Sequence, residues 1–457
     1  MKNRYAIVLA AGQGTRMKSK LYKVLHPILG QPMIRYVNDA LKPTAIQSLV
    51  TIVGHGAEDV MAEIGDESEF DVQEEQLGTA HAVLQAKELL KDKQGTTIVV
   101  CGDTPLITSE TFENLFEYHE TAQAKATILT TKVDDPTGYG RVLRDESLNV
   151  TRIVEHKDAT DDEKLVDEIN TGTYCFDNEA LFAALERVGN DNAQGEYYLP
   201  DVIEILKAEG EKVAAFITED QSETIGINDR VALANAEKVM KRRLNEFHLR
   251  NGVTIVDPDA TYIGPHVTIE QDVTIEPGTM ITGDTTIGSG THIGLNSEID
   301  YCEIGKDNVI RQSVLKNSKI GNETSIGPFT HIRPETSVGD LARIGNFVEL
   351  KKSEIGEDTS VSHLSYIGDA TLGKDINVGC GTVTVNYDGI NKHQTIIEDG
   401  AFVGCNTNLI APITIGEGAL VAAGSTISND VEKDALAIAR ARESSKAGYA
   451  SKLLGKI

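Results

Sequence analysis

The sequence contains no tryptophan, and aromatic residues make up only 5% of its 457 positions. That scarcity suits a solenoid packed by small and branched aliphatic side chains. Cysteine is equally scarce. The five residues Cys101, Cys175, Cys302, Cys380 and Cys405 are odd in number and show no CxxC spacing. That argues against a disulfide framework and against a zinc site. No apolar run approaches the roughly 18 residues of a membrane span. The stretch 6–11 is cut short by Gln13 and Arg16 before it can serve as a signal-peptide core. A cytoplasmic protein is expected, with no membrane partner. Positive charge is also short: 43 Lys and Arg against 70 Asp and Glu leave a formal net charge of −27. General binding to nucleic acid is excluded, and an anionic ligand would have to be held by local cations and backbone N–H groups.

What the sequence does have is a beat of six in its C-terminal half. Ile263, Ile269, Ile275, Ile281, Ile287, Ile293 and Ile299 keep it, as do Ile320, Ile326, Ile332, Val338 and Ile344, and later Val403, Leu409, Ile415, Val421 and Ile427. A period of six fits neither the 3.6 of a helix nor a plain alternating strand. It fits a hexapeptide β-helix, in which short strands form the walls of a prism and one apolar side chain per wall points inward. At roughly 18 residues per coil and about 4.8 Å between coils, the repeat region predicts about nine or ten coils and a rod about 45 Å long.

The first half reads differently. Apolar runs recur at 5–11, 49–53, 97–101, 126–130, 171–176 and 213–217, with helical patterns between them. That alternation predicts a mostly parallel sheet covered by helices on both faces. The expected organisation is an α/β domain over 1–228, a linker helix over 229–252 acting as a stiff spacer, the β-helix over 253–430, and a helical tail over 431–457.

Chemistry concentrates at the ends of the first-half strands. Strand 5–9 runs into Ala10-Ala11-Gly12-Gln13-Gly14-Thr15-Arg16, with Lys23 shortly after. Glycines let backbone N–H groups approach a phosphate closely, and Arg16 and Lys23 add charge. The loop is neither a Walker loop nor the dinucleotide GxGxxG. Strand 97–101 ends at Gly102-Asp103-Thr104-Pro105, placing one carboxylate at the edge where ligands of open α/β sheets bind. Gln73 and Gln76, before Gly78-Thr79, offer amides able to read a base edge.

Together LAAGQGTRM, QLGT, GDTPL, GYGR, VEHKDA, NTGTY and IGIN resemble the sugar-1-phosphate nucleotidyltransferases. With the hexapeptide rod attached, nearly the whole chain resembles the bacterial family that joins an N-acetylglucosamine-1-phosphate uridylyltransferase to a glucosamine-1-phosphate acetyltransferase and makes UDP-N-acetylglucosamine, a precursor of the cell wall. The resemblance implies a Rossmann-like domain followed by a left-handed parallel β-helix. It implies that Leu9, Ala10, Ala11, Gly12, Gly14, Thr15, Arg16 and Lys23 hold UTP, that Gln73, Gln76, Gly78 and Thr79 face the uracil, and that Gly138, Glu155 and Asn170 bind the sugar. Asp103 and Asn228 would ligate Mg²⁺, with Asn228 also at the nucleotide. One departure is Cys101, which stands where some relatives carry a bulky aromatic.

In the second half the interruptions of the beat are informative. A coil that only stacks has no use for Lys351-Lys352 or for the insertion from Thr384 to Lys392, and loops on a rigid scaffold often carry function. His363, two residues after the inward Val361, should stand near the surface. With Arg333, Lys351, Tyr366, Asn377, Asn386, Tyr387 and Lys392 it matches the acetyltransferase pattern of the same family. His363 would take a proton from the attacking amine, oriented by Glu349. Arg333, Lys351 and Lys392 would bind the sugar phosphate, and Asn377 and Asn386 the sugar. The resemblance further implies that acetyl-CoA runs along Cys380, Asn386, Tyr387, Cys405, Ala423 and Arg440, with cysteines replacing the usual Ala and Ser. It also implies a homotrimer with acetyl-transfer sites between neighbours. The alternative is a nucleotidyltransferase whose β-helix only regulates or oligomerises; the set around His363 argues against it.

Overall fold

The computed structural model describes residues 3–456. The chain divides into two compact units, Met1–Met240 and Lys241–Ile457.

The first unit is a nine-stranded mixed sheet. Its strands are β1 (Arg4–Ala10), β2 (Ser48–Val53), β3 (Glu69–Val72), β4 (Thr96–Cys101), β5 (Ala126–Lys132), β6 (Arg141–Arg144), β7 (Val150–Val154), β8 (Glu168–Asp177) and β9 (Val213–Ile217). The central order is β9-β5-β8-β4-β1-β2-β3, with β6 and β7 forming a branch from β8. All neighbours on the central path are parallel except β8, which is antiparallel to both β4 and β5. Alternation along β1 builds a core on each face. Tyr5 and Ile7 join Val83, Val202 and Leu206 on one side, while Ala6, Val8 and Ala10 join Ile34, Leu115 and Phe116 on the other. The helix Ser109–Ala122 starts where the Thr108 hydroxyl accepts from the Thr111 N–H, satisfying an orphan donor of the first turn.

The 21-residue helix Arg230–Arg250 carries the chain into the second unit. There the beat of six becomes stacked coils. Ile263 pairs with Ile281, Ile275 with Ile293, and Leu350 with Ile367, all in parallel register. Ile263, Ile275, Ile281, Ile293 and Ile367 are fully buried in one continuous core. Corner threonines are buried too, with their hydroxyls donating to carbonyls of the next coil, as Thr359 does to Gly373 at 2.7 Å.

The first third of the expected tail helix continues the prism instead. Val431 bridges Ile415, and Leu436–Ala437 pairs in parallel with Leu420–Val421. Val431 is buried in the prism core, and Ala435 and Ala437 pack against it. Among the described residues of the tail only Tyr449–Leu453 is helical. Similarly, Thr384 and Val385 of the expected insertion stay in the wall as part of Val383–Val385, and the excursion covers 386–394.

Candidate functional sites

In the first unit the parallel register sets Leu9 beside Cys101, and the Gly102 N–H donates to the Leu9 carbonyl at 2.9 Å. The loops after β1 and β4 therefore leave the sheet side by side. Between them lies a cavity of about 270 Å³ lined by Leu9, Ala10, Ala11, Gly12, Lys23, Gln73, Gln76, Gly78, Thr79 and Asp103, residues separated by up to 94 positions in sequence but brought to one sheet edge. Gly14 holds a left-handed φ of 62° and opens the turn Thr15–Met17. No atom lies within 4 Å of where a Cβ on Gly12 would stand, so this backbone faces open space.

Charge is arranged around Lys23. Its Nζ donates to the Asp103 carboxylate and to Asn228 Oδ1 at 2.8 Å, and Arg16 donates to the same Asn228 oxygen at 2.8 Å. Asp103 and Asn228 thus both turn hard oxygen donors toward the Lys23 ammonium, the donor type that suits Mg²⁺. Among the described residues no group of three or more His, Cys, Asp or Glu could hold a metal ion by itself, so a cation here would need oxygens from its ligand. Cys101 lines the cavity, with its thiol pushed up to about 12 by burial and by Asp103, which leaves it protonated and unreactive at neutral pH.

Gln73 is buried, its amide donating to the Gly78 carbonyl at 3.1 Å. Gly78 has φ 118°, and a Cβ there would stand 2.4 Å from the Tyr197 carbonyl oxygen. The segment around Tyr197 lies across this turn, with Tyr197 N–H donating to Leu77 at 2.8 Å and Ala80 N–H to Tyr197 at 2.9 Å. Glu196, from the same segment, joins the cavity wall. Sequence reading missed this segment, because GEYYLP shows neither period and its pairing is made through backbone atoms.

Glu155 and Asn170 meet beyond the cavity, where a Cβ on Gly140 would stand 3.1 Å from the Glu155 carboxylate and 3.5 Å from the Asn170 side chain. Asn170 is held by donating to the Tyr174 hydroxyl at 2.7 Å. Burial, with Asp158 and Asp201 nearby, raises the Glu155 carboxyl. Asp201 is pushed up to about 6 by burial and by Glu204 and Asp158. Gly138 stands with open space at its Cβ position and φ 86°.

In the second unit the register sorts the expected residues into two sets. His363, Cys380, Cys405 and Ala423, together with Asn346, which sequence reading did not name, each lie two residues after an inward Ile or Val of one wall, and those inward residues stack in order. The five therefore form one column along one edge. Arg440 extends it, its guanidinium donating to the Ala423 carbonyl at 2.8 Å. The His363 ring is exposed, and its Nδ1 lies 3.1 Å from Asn346 Oδ1.

Glu349, expected to orient this ring, does not. Its register partner is Tyr366, and its carboxylate accepts from Arg333 at 2.8 Å. The register puts Asn346 opposite His363 instead.

The other set sits on the following wall. Lys351 reaches Asp369 at 3.2 Å, Asn386 donates to the same carboxylate oxygen, and Asn386 lies 3.4 Å from the Tyr366 hydroxyl. Gly368 permits this, because a Cβ there would strike the Tyr366 hydroxyl at 2.4 Å. Lys392 arrives on the excursion, a small hairpin in which Tyr387 bridges Lys392. Asp388 ties its turn together by accepting from the Ile390 and Asn391 N–H groups and pairing with His393. Those bonds, the Asn391 N–H first, hold its carboxyl at about 2. Asn377 remains on the His363 wall, opposite Ser360, away from Lys351 and Asn386. Strand Tyr366–Leu372 begins three residues after His363 and carries Asp369, so the second set starts at Tyr366 on the wall that follows the His363 column.

Comparison with known proteins agrees with both halves. The Nucleotidyl transferase family pattern matches residues 5–236, and the Bacterial transferase hexapeptide (six repeats) pattern matches 317–352 and 394–429. The Bifunctional protein GlmU of Oceanobacillus iheyensis is 62% identical over 452 residues, 99% of each chain. That of Halalkalibacterium halodurans is 59% identical over 452 residues, again 99% of each chain, and that of Bacillus subtilis 59% over 449, 98% of each.

Proposed function

The chain belongs to the GlmU family of bifunctional proteins, a nucleotidyl transferase continued by a hexapeptide-repeat transferase, and from that membership we propose the assignment of its two reactions to the two sites described. In the second unit acetyl-CoA would lie along the His363 edge. The His363 Nε2, left free while Nδ1 faces Asn346, would take the proton of the glucosamine-1-phosphate amine as it attacks the thioester carbonyl. Lys351, Lys392 and Arg333 would hold the sugar phosphate. In the first unit the N-acetylglucosamine-1-phosphate oxygen would attack the α-phosphorus of UTP and release pyrophosphate. Such a transfer rests on positioning and charge neutralisation rather than a covalent nucleophile.

In that first site Lys23 and Arg16 would neutralise the triphosphate and Gln73 and Gln76 would face the base. Glu155 and Asn170 would bind the sugar. Asp103 and Asn228 would hold Mg²⁺, which when bound supplies charge to the phosphate oxygens. The observation that carries the assignment is the convergence of two cations, Lys23 and Arg16, on the Asn228 oxygen beside the glycine turn, with Asp103 accepting from Lys23.

We place the protein in the cytoplasm, where its five free cysteines would stay reduced. No helix among the described residues is long and apolar enough to cross a membrane. The separation of the two acetyl-site sets supports a homotrimer in which neighbours complete each site. Phe329, stacked on Phe347 with ring centroids 5.4 Å apart, and Leu364, all exposed beside the His363 column, offer an apolar surface for it. Incubating the full chain with glucosamine-1-phosphate, acetyl-CoA and UTP, leaving out one at a time, tests the chemistry. UDP-N-acetylglucosamine should form only with all three. Product formed without acetyl-CoA would overturn the acetyl assignment. Sedimentation equilibrium should give three times the chain mass.

A further inference from the structure

One acidic side chain in the second unit has no part in the scheme above. Asp369 stands on the strand Tyr366–Leu372 just after Gly368, with its side chain only 12% exposed. Its φ of 47° is left-handed, which aspartate tolerates better than most residues. A carboxylate this buried is costly unless partnered. It has two partners: Lys351, whose side chain is itself only 18% exposed, at 3.2 Å, and the Asn386 amide, which donates to the same oxygen. Asp369 also lines a cavity of about 620 Å³ whose wall includes Lys352, Lys392, Glu335 and His393.

The charges around it explain what it does. Lys351 and Lys392 bring two like charges to this cluster. The Lys392 ammonium is pushed below the usual lysine range by Lys351, while Lys351, hydrogen-bonded to Lys392 and paired with Asp369, is pushed above it. Lys352 is occupied by Glu335 at 3.5 Å. The carboxylate at 369 offsets the repulsion between the two like charges and anchors both Lys351 and the Asn386 amide.

We infer that Asp369 is a positioning residue for the sugar-phosphate site, fixing Lys351 and Asn386 in the geometry that receives the phosphate and leaving Lys392 to complete the anion hole. It deepens the acetyltransferase reading and rests on it. Asp369 does not touch the reacting atoms. It sets affinity for the phosphorylated sugar and leaves the acetyl donor alone.

The test is steady-state acetyl transfer by the full chain carrying Asp369→Asn or Asp369→Glu. The Asn variant should raise KM for glucosamine-1-phosphate about tenfold, the loss of one well-oriented charged hydrogen bond. Its kcat and its KM for acetyl-CoA should stay within about twofold. Asp369→Glu, which keeps the charge on a longer stem, should fall between Asn and wild type. Should the Asn variant melt below the assay temperature, the Glu variant carries the test alone, with the same split between the two KM values. A KM for glucosamine-1-phosphate that is unchanged or lower would mean the carboxylate only opposes the phosphate, and would overturn the inference. So would a parallel rise of both KM values, which a general packing defect produces. If the wild-type chain fails to acetylate glucosamine-1-phosphate, the acetyltransferase reading itself fails.

Discussion

Adding one methyl group at Gly14 should disable uridylyl transfer while sparing acetyl transfer. Gly14 has φ 62°, where a Cβ costs roughly 1–2 kcal/mol. The new carbon would stand 2.5 Å from Lys23 Cβ and 3.2 Å from its Cγ. Lys23 Cβ is anchored directly to backbone and cannot swing aside, so the root of the side chain must retreat, at a cost of about 1–3 kcal/mol. The ammonium at its tip then leaves Asp103 and Asn228. If the nucleotide loses one charged hydrogen bond, worth about 1.5–3 kcal/mol, KM for UTP rises roughly 10- to 150-fold. The assay is pyrophosphate release against UTP concentration, with acetyl transfer measured on the same preparation. Gly14→Ala with a KM for UTP within twofold of wild type would refute the reasoning that the turn sets Lys23. Gly12→Ala is the internal control, because its Cβ would meet no protein atom. It should melt with the wild type, so any loss it shows belongs to the nucleotide.

Asp103→Ala should lower pyrophosphate release about a hundredfold or more and flatten its dependence on Mg²⁺; full release at ordinary Mg²⁺ would show the metal assignment to be wrong. His363→Ala should reduce acetyl transfer by about 10²–10⁴ and leave pyrophosphate release in place, measured by a coupled assay for each product. Asp201→Asn should stabilise the first unit at pH 7.5 and not at pH 4. The folded carboxyl, at about 6, binds its proton more tightly than the unfolded one. Wild-type stability therefore falls as pH rises from about 4 through 6, and the amide removes that loss. Thermal melts at the two pH values check it, and an equal gain at both would mean another cause.

Periodicity made the architecture of the second unit legible. A β-helix coil is held by nearest-neighbour stacking, so the inward Ile and Val must recur in sequence. The same local rule failed at the tail, where Val431, Ala435 and Ala437 also approximate a helical spacing, and pairing with the coil below decided for strand. The glycine turn and Asp103 were legible because parallel strands end at the same edge.

Other parts of the sites depended on register and backbone contact, which no local pattern records. Glu349 and Asn346 are three residues apart, and only the shorter count from His363 to the wall above it fixes which one meets the imidazole. Asp369 reads as an ordinary surface acid until Lys351 and Asn386, 18 and 17 residues away, are folded against it. Tyr197 clasps the Gly78 turn through main-chain groups common to every residue. Sequence by itself determined the two architectures and the residue types their chemistry requires, because repeat packing and strand-end placement are local. Tertiary structure decided which charge faces which, because Coulomb and hydrogen-bond energies depend on distances of a few ångströms that chain order does not encode.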